Sequence, residues 1–165
     1  MQRTTFLGTL LVLAVLIVPG TAFTSKSLDI NVDTEGSALI SLDYELNIFE
    51  DIAVWLNIVD PAESIKNAIE SNTGRPTEVY SVTGRSAVFR VAQFATTSQT
   101  DGKITQTTPQ ISFAQAEEAL KGQWFSFLIS KDLSPATTTV RFPDGYTQTY
   151  TEQLVIPTLT HTSQI

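Results

Sequence analysis

One histidine and no cysteine limit the chemistry open to this chain. His161 stands in the closing stretch "TLTHTSQI". A Ser-His-Asp triad requires the imidazole to be folded between a hydroxyl and a carboxylate, and no such pair is legible around it. A zinc site with one histidine and no thiolate would lean on carboxylates, against the usual nitrogen and sulfur donors. Without cysteine, thiol nucleophiles, thiolate metal sites and disulfides are excluded. His161 is therefore read as part of a polar, fraying tail, residues 158–165.

Carboxylates are the other reactive groups in quantity: 17 Asp and Glu against 10 Lys and Arg. Glycoside hydrolysis needs two of them about 5–10 Å apart across a cleft. Glu50 with Asp51, Glu117 with Glu118, and Asp43 with Glu45 are the close pairs, yet adjacent acids usually solvate an outer face. "NVDTEG", residues 31–36, has oxygen ligands at the spacing of a calcium loop, but the bidentate Glu required at the twelfth position is Leu42. A hairpin turn accounts for the same residues, with surface calcium binding as the alternative. Gly74, Gly84 and Gly102 sit at a helix end or at turns rather than in a phosphate-cradling loop. Trp55 and Trp124 lie in apolar runs, which suits core packing; the alternative is that one anchors a partner. Thr137, Thr139 and Arg141 would share a face with Thr147, Thr149 and Thr151. Such arrays can order water or contact sugar, but threonine on a wet face is also simply a good strand former. No catalytic residue, cofactor ligand or metal ligand is assigned.

The elements that would carry these residues follow from periodicity. "SLDINVDTEGSALISLDYELN", 27–47, alternates as a hairpin turning at Thr34-Glu35-Gly36. "TEVYSVTGRSAVFRVAQFA", 77–95, reads as a second hairpin, turning near Gly84-Arg85. "TTVRFPDGYTQTY", 138–150, reads as a third, since Pro143, Asp144 and Gly145 meet the demands of a tight turn. "TTSQTDGKITQTTPQ", 96–110, reads as a loop or mobile hairpin around Asp101-Gly102. Helices are expected over 48–59, over 60–74 with Asp60 as cap and Pro61 at the first position, and over 112–122 with Ser112 as cap. "WFSFLIS", 124–130, suits a strand. "GSALISLDYEL" and "GRSAVFRVAQF" echo each other faintly as second strands of hairpins. Hairpins without β-α-β crossovers predict an α+β fold: a mainly antiparallel sheet, with about three helices packed on one face.

The first 22 residues read as a secretory signal peptide. A polar start with Arg3 precedes the uncharged run Phe6–Val18, then Pro19-Gly20 and small residues up to Ala22. That run is shorter than the roughly 20 apolar residues that span a bilayer, so a retained anchor is the lesser alternative. Residues 23–157 then form one domain, large enough to fold without staples. The formal charge of −7 disfavours phosphate backbones, so no nucleic acid is expected as partner. No membrane span is expected after signal removal, and no Asn-x-Ser/Thr triplet is present for N-glycosylation.

Taken together, the signal peptide, "SLDINVDTEGSALISLDYEL", "DPAESIKNAIE", "QAEEALKGQWF" and "TTVRFPDGYTQTYTEQLVIP" resemble a family of short secreted proteins from methane-producing archaea. That family carries no assigned activity. The resemblance implies an extracellular or cell-envelope setting and transfers no site residue. The expectation is a secreted or cell-surface, non-enzymatic protein acting through contacts with an unknown protein or envelope component. A glycan- or calcium-binding envelope module is the alternative, and a carboxylate-based hydrolase a more distant one. Intact-mass analysis of native protein should show the loss of residues 1–22; full-length protein in the envelope fraction would identify an anchor instead.

Overall fold

The structure is a computed structural model that describes residues 24–45, 61–114, 118 and 134–164. Its elements are β1 (Thr24–Val32), β2 (Ala38–Glu45), α1 (Pro61–Thr73), β3 (Thr77–Val82), β4 (Ser86–Val91), β5 (Thr96–Thr100), β6 (Lys103–Thr107), β7 (Ile111–Ser112), β8 (Thr137–Arg141), β9 (Thr147–Thr151), β10 (Val155–Ile156) and β11 (Thr160–Gln164). β3-β4-β2-β1-β8-β9 form one sheet, β11-β6-β5 a second, and β10-β7 a short ribbon. The ladders are antiparallel except β1–β8, which run parallel.

The α+β expectation is therefore corrected to a β-rich fold. Eleven strands and one complete helix, α1, stand among the described residues, not about three helices on one sheet face. α1 lies where its capping pattern placed it. The helix expected over 48–59 and the strand over 124–130 lie outside the described residues. Ser112, expected to cap a third helix, pairs with Val155, and helical backbone follows it at Phe113 and Ala114. Most of the remainder of that segment, 115–117 and 119–122, is outside the described residues. Two polar segments account for the extra strands. Residues 96–107 form the β5–β6 hairpin, with Asp101 and Gly102 both at positive φ. The tail expected to fray over 158–165 supplies β11, which pairs with β6 from Thr160 to Gln164. Alternation of apolar residues cannot reveal such strands, because threonine, serine and glutamine fill both of their faces.

The six-stranded sheet buries one face. Leu28, Ile30 and Val32 of β1 pair with Leu42, Ile40 and Ala38 of β2, and Ile40 with Phe89 of β4. Val140 of β8 and Phe142 beyond it extend the layer, with Phe94, Ala95, Phe113, Ile156 and Ile69 of α1 packed against it. Phe89, Phe142, Ile30, Val91 and Val140 are fully buried; each large apolar side chain so placed stabilises the fold by about 1.5–3 kcal/mol. The opposite face is polar: Thr147, Thr149 and Thr151 of β9 pair with Arg141, Thr139 and Thr137 of β8. Arg141 donates to Asn31 Oδ1 on β1 (3.2 Å). The sequence echo joins neighbours, since 38–45 and 86–91 are the paired strands β2 and β4.

The parallel β1–β8 pairing has a geometric consequence. It brings the β1–β2 loop and the β8–β9 loop to the same end of the sheet. The two loops are built alike. Asp33 N donates to Ser37 O (2.8 Å) and Gly36 N to Asp33 O (3.1 Å); Phe142 N donates to Tyr146 O (2.9 Å) and Gly145 N to Phe142 O (3.0 Å). Gly36 and Gly145 take left-handed φ values of 89° and 90°. Their surroundings differ. A Cβ on Gly36 would lie 2.4 Å from Ala95 O and 2.7 Å from Thr97 Oγ1, whereas one on Gly145 would meet nothing within 4 Å. Gly145→Ala should thus cost only the about 1–2 kcal/mol of a left-handed L-residue. Gly36→Ala should cost clearly more, measured by denaturant unfolding; equal losses would show that the first loop is not clamped.

Candidate functional site

The second sheet docks onto these two loops through one cross-strand row. Thr97 of β5 lies opposite Gln106 of β6, and Gln106 opposite His161 of β11. Gln106 is buried; its Nε2 donates to Asp33 O (2.7 Å) and reaches Thr97 Oγ1 (3.5 Å). Ala95 N donates to Gly36 O (2.7 Å). At the other end of the row His161 Nε2 meets Asp144 Oδ2 at 2.7 Å. Its ring stacks on Tyr146 at 4.2 Å and 7°, and lies 5.0 Å from the ring of Phe142.

His161, Asp144, Tyr146 and Phe142 are the densest assembly of chemistry-bearing groups among the described residues. The sequence separates the histidine from the turn, and only the β11–β6 pairing brings them together. The hydrogen bond from His161 holds the Asp144 carboxyl below its usual range, aided by the Tyr146 backbone N–H that binds Asp144 Oδ1 (3.1 Å). Both carboxylate oxygens are therefore engaged, one in the turn and one with the imidazole. Among the described residues the ring's hydrogen-bond partner is Asp144 and not a hydroxyl; what the geometry provides is a clasp.

Other candidates are similarly engaged in structure. Asp33, at the centre of the calcium-like hexapeptide, accepts Glu35 N and Ser37 N on one oxygen, each at 2.9 Å. Asp43 accepts the Ser27 hydroxyl (3.2 Å), and Glu45 pairs with Lys26 (3.1 Å). Among the described residues no three His, Cys, Asp or Glu side chains gather as metal ligands. Glu50, Asp51, Glu117, Trp55 and Trp124 lie outside the described residues.

Among the described residues two exposed surfaces stand out that were not singled out by sequence. On the outward face of the second sheet, Thr96, Thr107 and Thr160 form one row and Ser98, Thr105 and Thr162 the next. Thr107 and Thr160 hydroxyls lie 3.0 Å apart, and those of Thr105 and Thr162 2.9 Å. Rows are thus about 6.8 Å apart along the strands and columns about 4.8 Å across them. On the end strand of the larger sheet, β3, Val79, Tyr80 and Val82 are 41%, 73% and 39% exposed. Tyr80 is the extra residue of a bulge between Val79 and Ser81. The alternation of "TEVYSV" marked the strand but not its position at the edge.

No family model, curated protein or solved structure matches this chain.

The Asp144 clasp gives a pH prediction with a definite sign. A carboxyl whose folded pKa is depressed stabilises the fold above its unfolded pKa and loses that effect as pH falls through the folded value. Wild type should exceed Asp144→Asn in stability near neutrality, and the gap should close as pH falls below the ordinary carboxylate range. In His161→Phe the Asp144 carboxyl, followed by NMR, should titrate at higher pH than in wild type. An unchanged titration would mean that the two side chains do not hold one another in solution.

Proposed function

We propose that this is an extracellular or cell-surface module that acts through protein contacts and not through catalysis. The observation that carries the reading is the exposed apolar group Val79, Tyr80 and Val82 on the end strand of the main sheet. Solvated edges are usually blunted by charge, proline or a bulge. β3 carries Glu78 and the Tyr80 bulge yet still leaves these three side chains in solvent, and tyrosine is the kind of side chain that anchors interfaces. The charge and the resemblance to secreted archaeal proteins are consistent with a setting at the cell envelope. Among the described residues, Asp33, Asp43, Glu45, Asp144 and His161 are taken up in turns, ladders and the loop clasp.

A second reading is favoured by a separate observation, the two hydroxyl rows on β5, β6 and β11. A flat polyhydroxyl face suits an envelope glycan, although cross-strand threonine pairs also stabilise sheets unaided.

Binding of the purified protein to envelope preparations separates the two. Contact through β3 should be saturable, abolished by protease treatment of the envelope, and weakened at least about fivefold by Tyr80→Ser, a loss near 1 kcal/mol. Binding that resists protease and is lost in a Thr105→Val, Thr162→Val double variant would transfer the role to the hydroxyl face. Turnover of a glycan, peptide or ester that vanishes in Asp43→Asn would overturn the non-enzymatic reading.

A further inference from the structure

The phase of the β3–β4 ladder shows what the edge offers. Ala92 N donates to Pro76 O (3.1 Å) at one end and Thr83 N to Ser86 O (2.8 Å) at the other. In an antiparallel pair, residues alternate between bonding the neighbour and pointing away from it. With the bulge absorbing Tyr80, residues 76, 78, 81 and 83 face β4, while Thr77, Val79 and Val82 direct their N–H and C=O groups off the sheet. The first of these slots is already filled: Thr77 N donates to Glu70 Oε1 of α1 at 2.9 Å. The fold itself thus seats a carboxylate against this edge. Val79 and Val82 have no such cover among the described residues.

Charge selects the occupant. Residues 75–92 hold Arg75, Arg85 and Arg90 against Glu78, with Glu70 of α1 the other acid at this edge, in a chain whose formal charge is −7. Arg85 and Arg90 are exposed, and Arg90 pairs with Glu78 across the ladder. A second copy adding its own β3 would set two such arginine-rich hairpins against each other. A strand that alternates apolar and acidic residues would instead extend the ladder, lay side chains beside Val79, Tyr80 and Val82, and bring carboxylates toward the arginines.

We propose that β3 is a docking edge for an extended, acidic–apolar segment of a partner protein, which adds as a seventh strand by main-chain hydrogen bonds. This rests on the protein-contact reading above and specifies its mode.

The test uses ¹⁵N-labelled protein and three blocked heptapeptides: alternating aspartate and valine, alternating lysine and valine, and the aspartate peptide with N-methylated backbone. The aspartate peptide should shift the Val79 and Val82 amides and slow their hydrogen exchange. It should bind at least about tenfold more tightly than the lysine peptide at low salt, weaken with salt, and lose binding on N-methylation or in Arg85→Glu. Shifts centred elsewhere, equal binding of the lysine or methylated peptide, or no shifts at millimolar peptide would overturn the proposal. Concentration-dependent broadening of the β3 amides without peptide would overturn it in favour of self-pairing. Should the peptides fail while Tyr80→Ser still loses envelope binding, the contact reading stands and strand addition falls; should both fail, both fall.

Discussion

The row Thr97–Gln106–His161 is what the arrangement of the two sheets depends on. Gln106 binds the main chain of the first loop and His161 the side chain of the second. The row can reach both because β1 and β8 run parallel and deliver their loops to one end of the larger sheet. The contact at Gly36 leaves no room for a side chain. A buried amide such as Gln106 is stabilising only when its hydrogen bonds are met, and leaving such a group unpaired costs about 1–3 kcal/mol. The docking geometry is therefore specific and not merely adhesive.

The same constraint occupies several of the described polar residues. Asp33 and Asp144 each close a loop, and Asp144 also holds the only histidine. The apolar core is conventional in content, but it is confined to one face of the six-stranded sheet. The second sheet contributes little to it. It is tied instead by polar bonds at the loops and by the C-terminal strand, which follows residues 103–113 in antiparallel pairing through Thr108 and Leu159. Two exposed features of the described residues stand beside this frame: an apolar edge with arginines at one strand, and hydroxyl rows at the other sheet.

Where one face was apolar and the other wet, the sequence was legible. The hairpins over 27–45 and 77–95, the turn at Pro143-Asp144-Gly145 and the helix at 61–73 all have local causes, and the structure holds each. The parallel β1–β8 pairing was not legible, because strands of similar apolar alternation do not name their neighbours. β11 was misjudged as a tail, and 96–110 stood between a loop and the hairpin at Asp101-Gly102 that the structure shows, because these polar residues serve the ladder, the seam and solvent at once. Consequently His161 looked idle in a tail, while the turn containing Asp144 looked purely local. Their meeting depends on a strand pairing 53 or more residues apart in sequence, as in Thr107 with Thr160. The edge at β3 was similarly hidden, since position in a sheet is a tertiary property.

Amide hydrogen exchange across residues 160–164 is the most direct test of this account. If the row docks the second sheet as described, the ladder-bonded amides of β11 should be protected together with those of β6, at a level near that of the β8–β9 pair. In Gln106→Ala, protection of β5, β6 and β11 should fall while that of β1, β2 and β4 persists. Exchange of residues 160–164 at the rate of a free peptide in wild type would contradict the account and return His161 to a fraying tail.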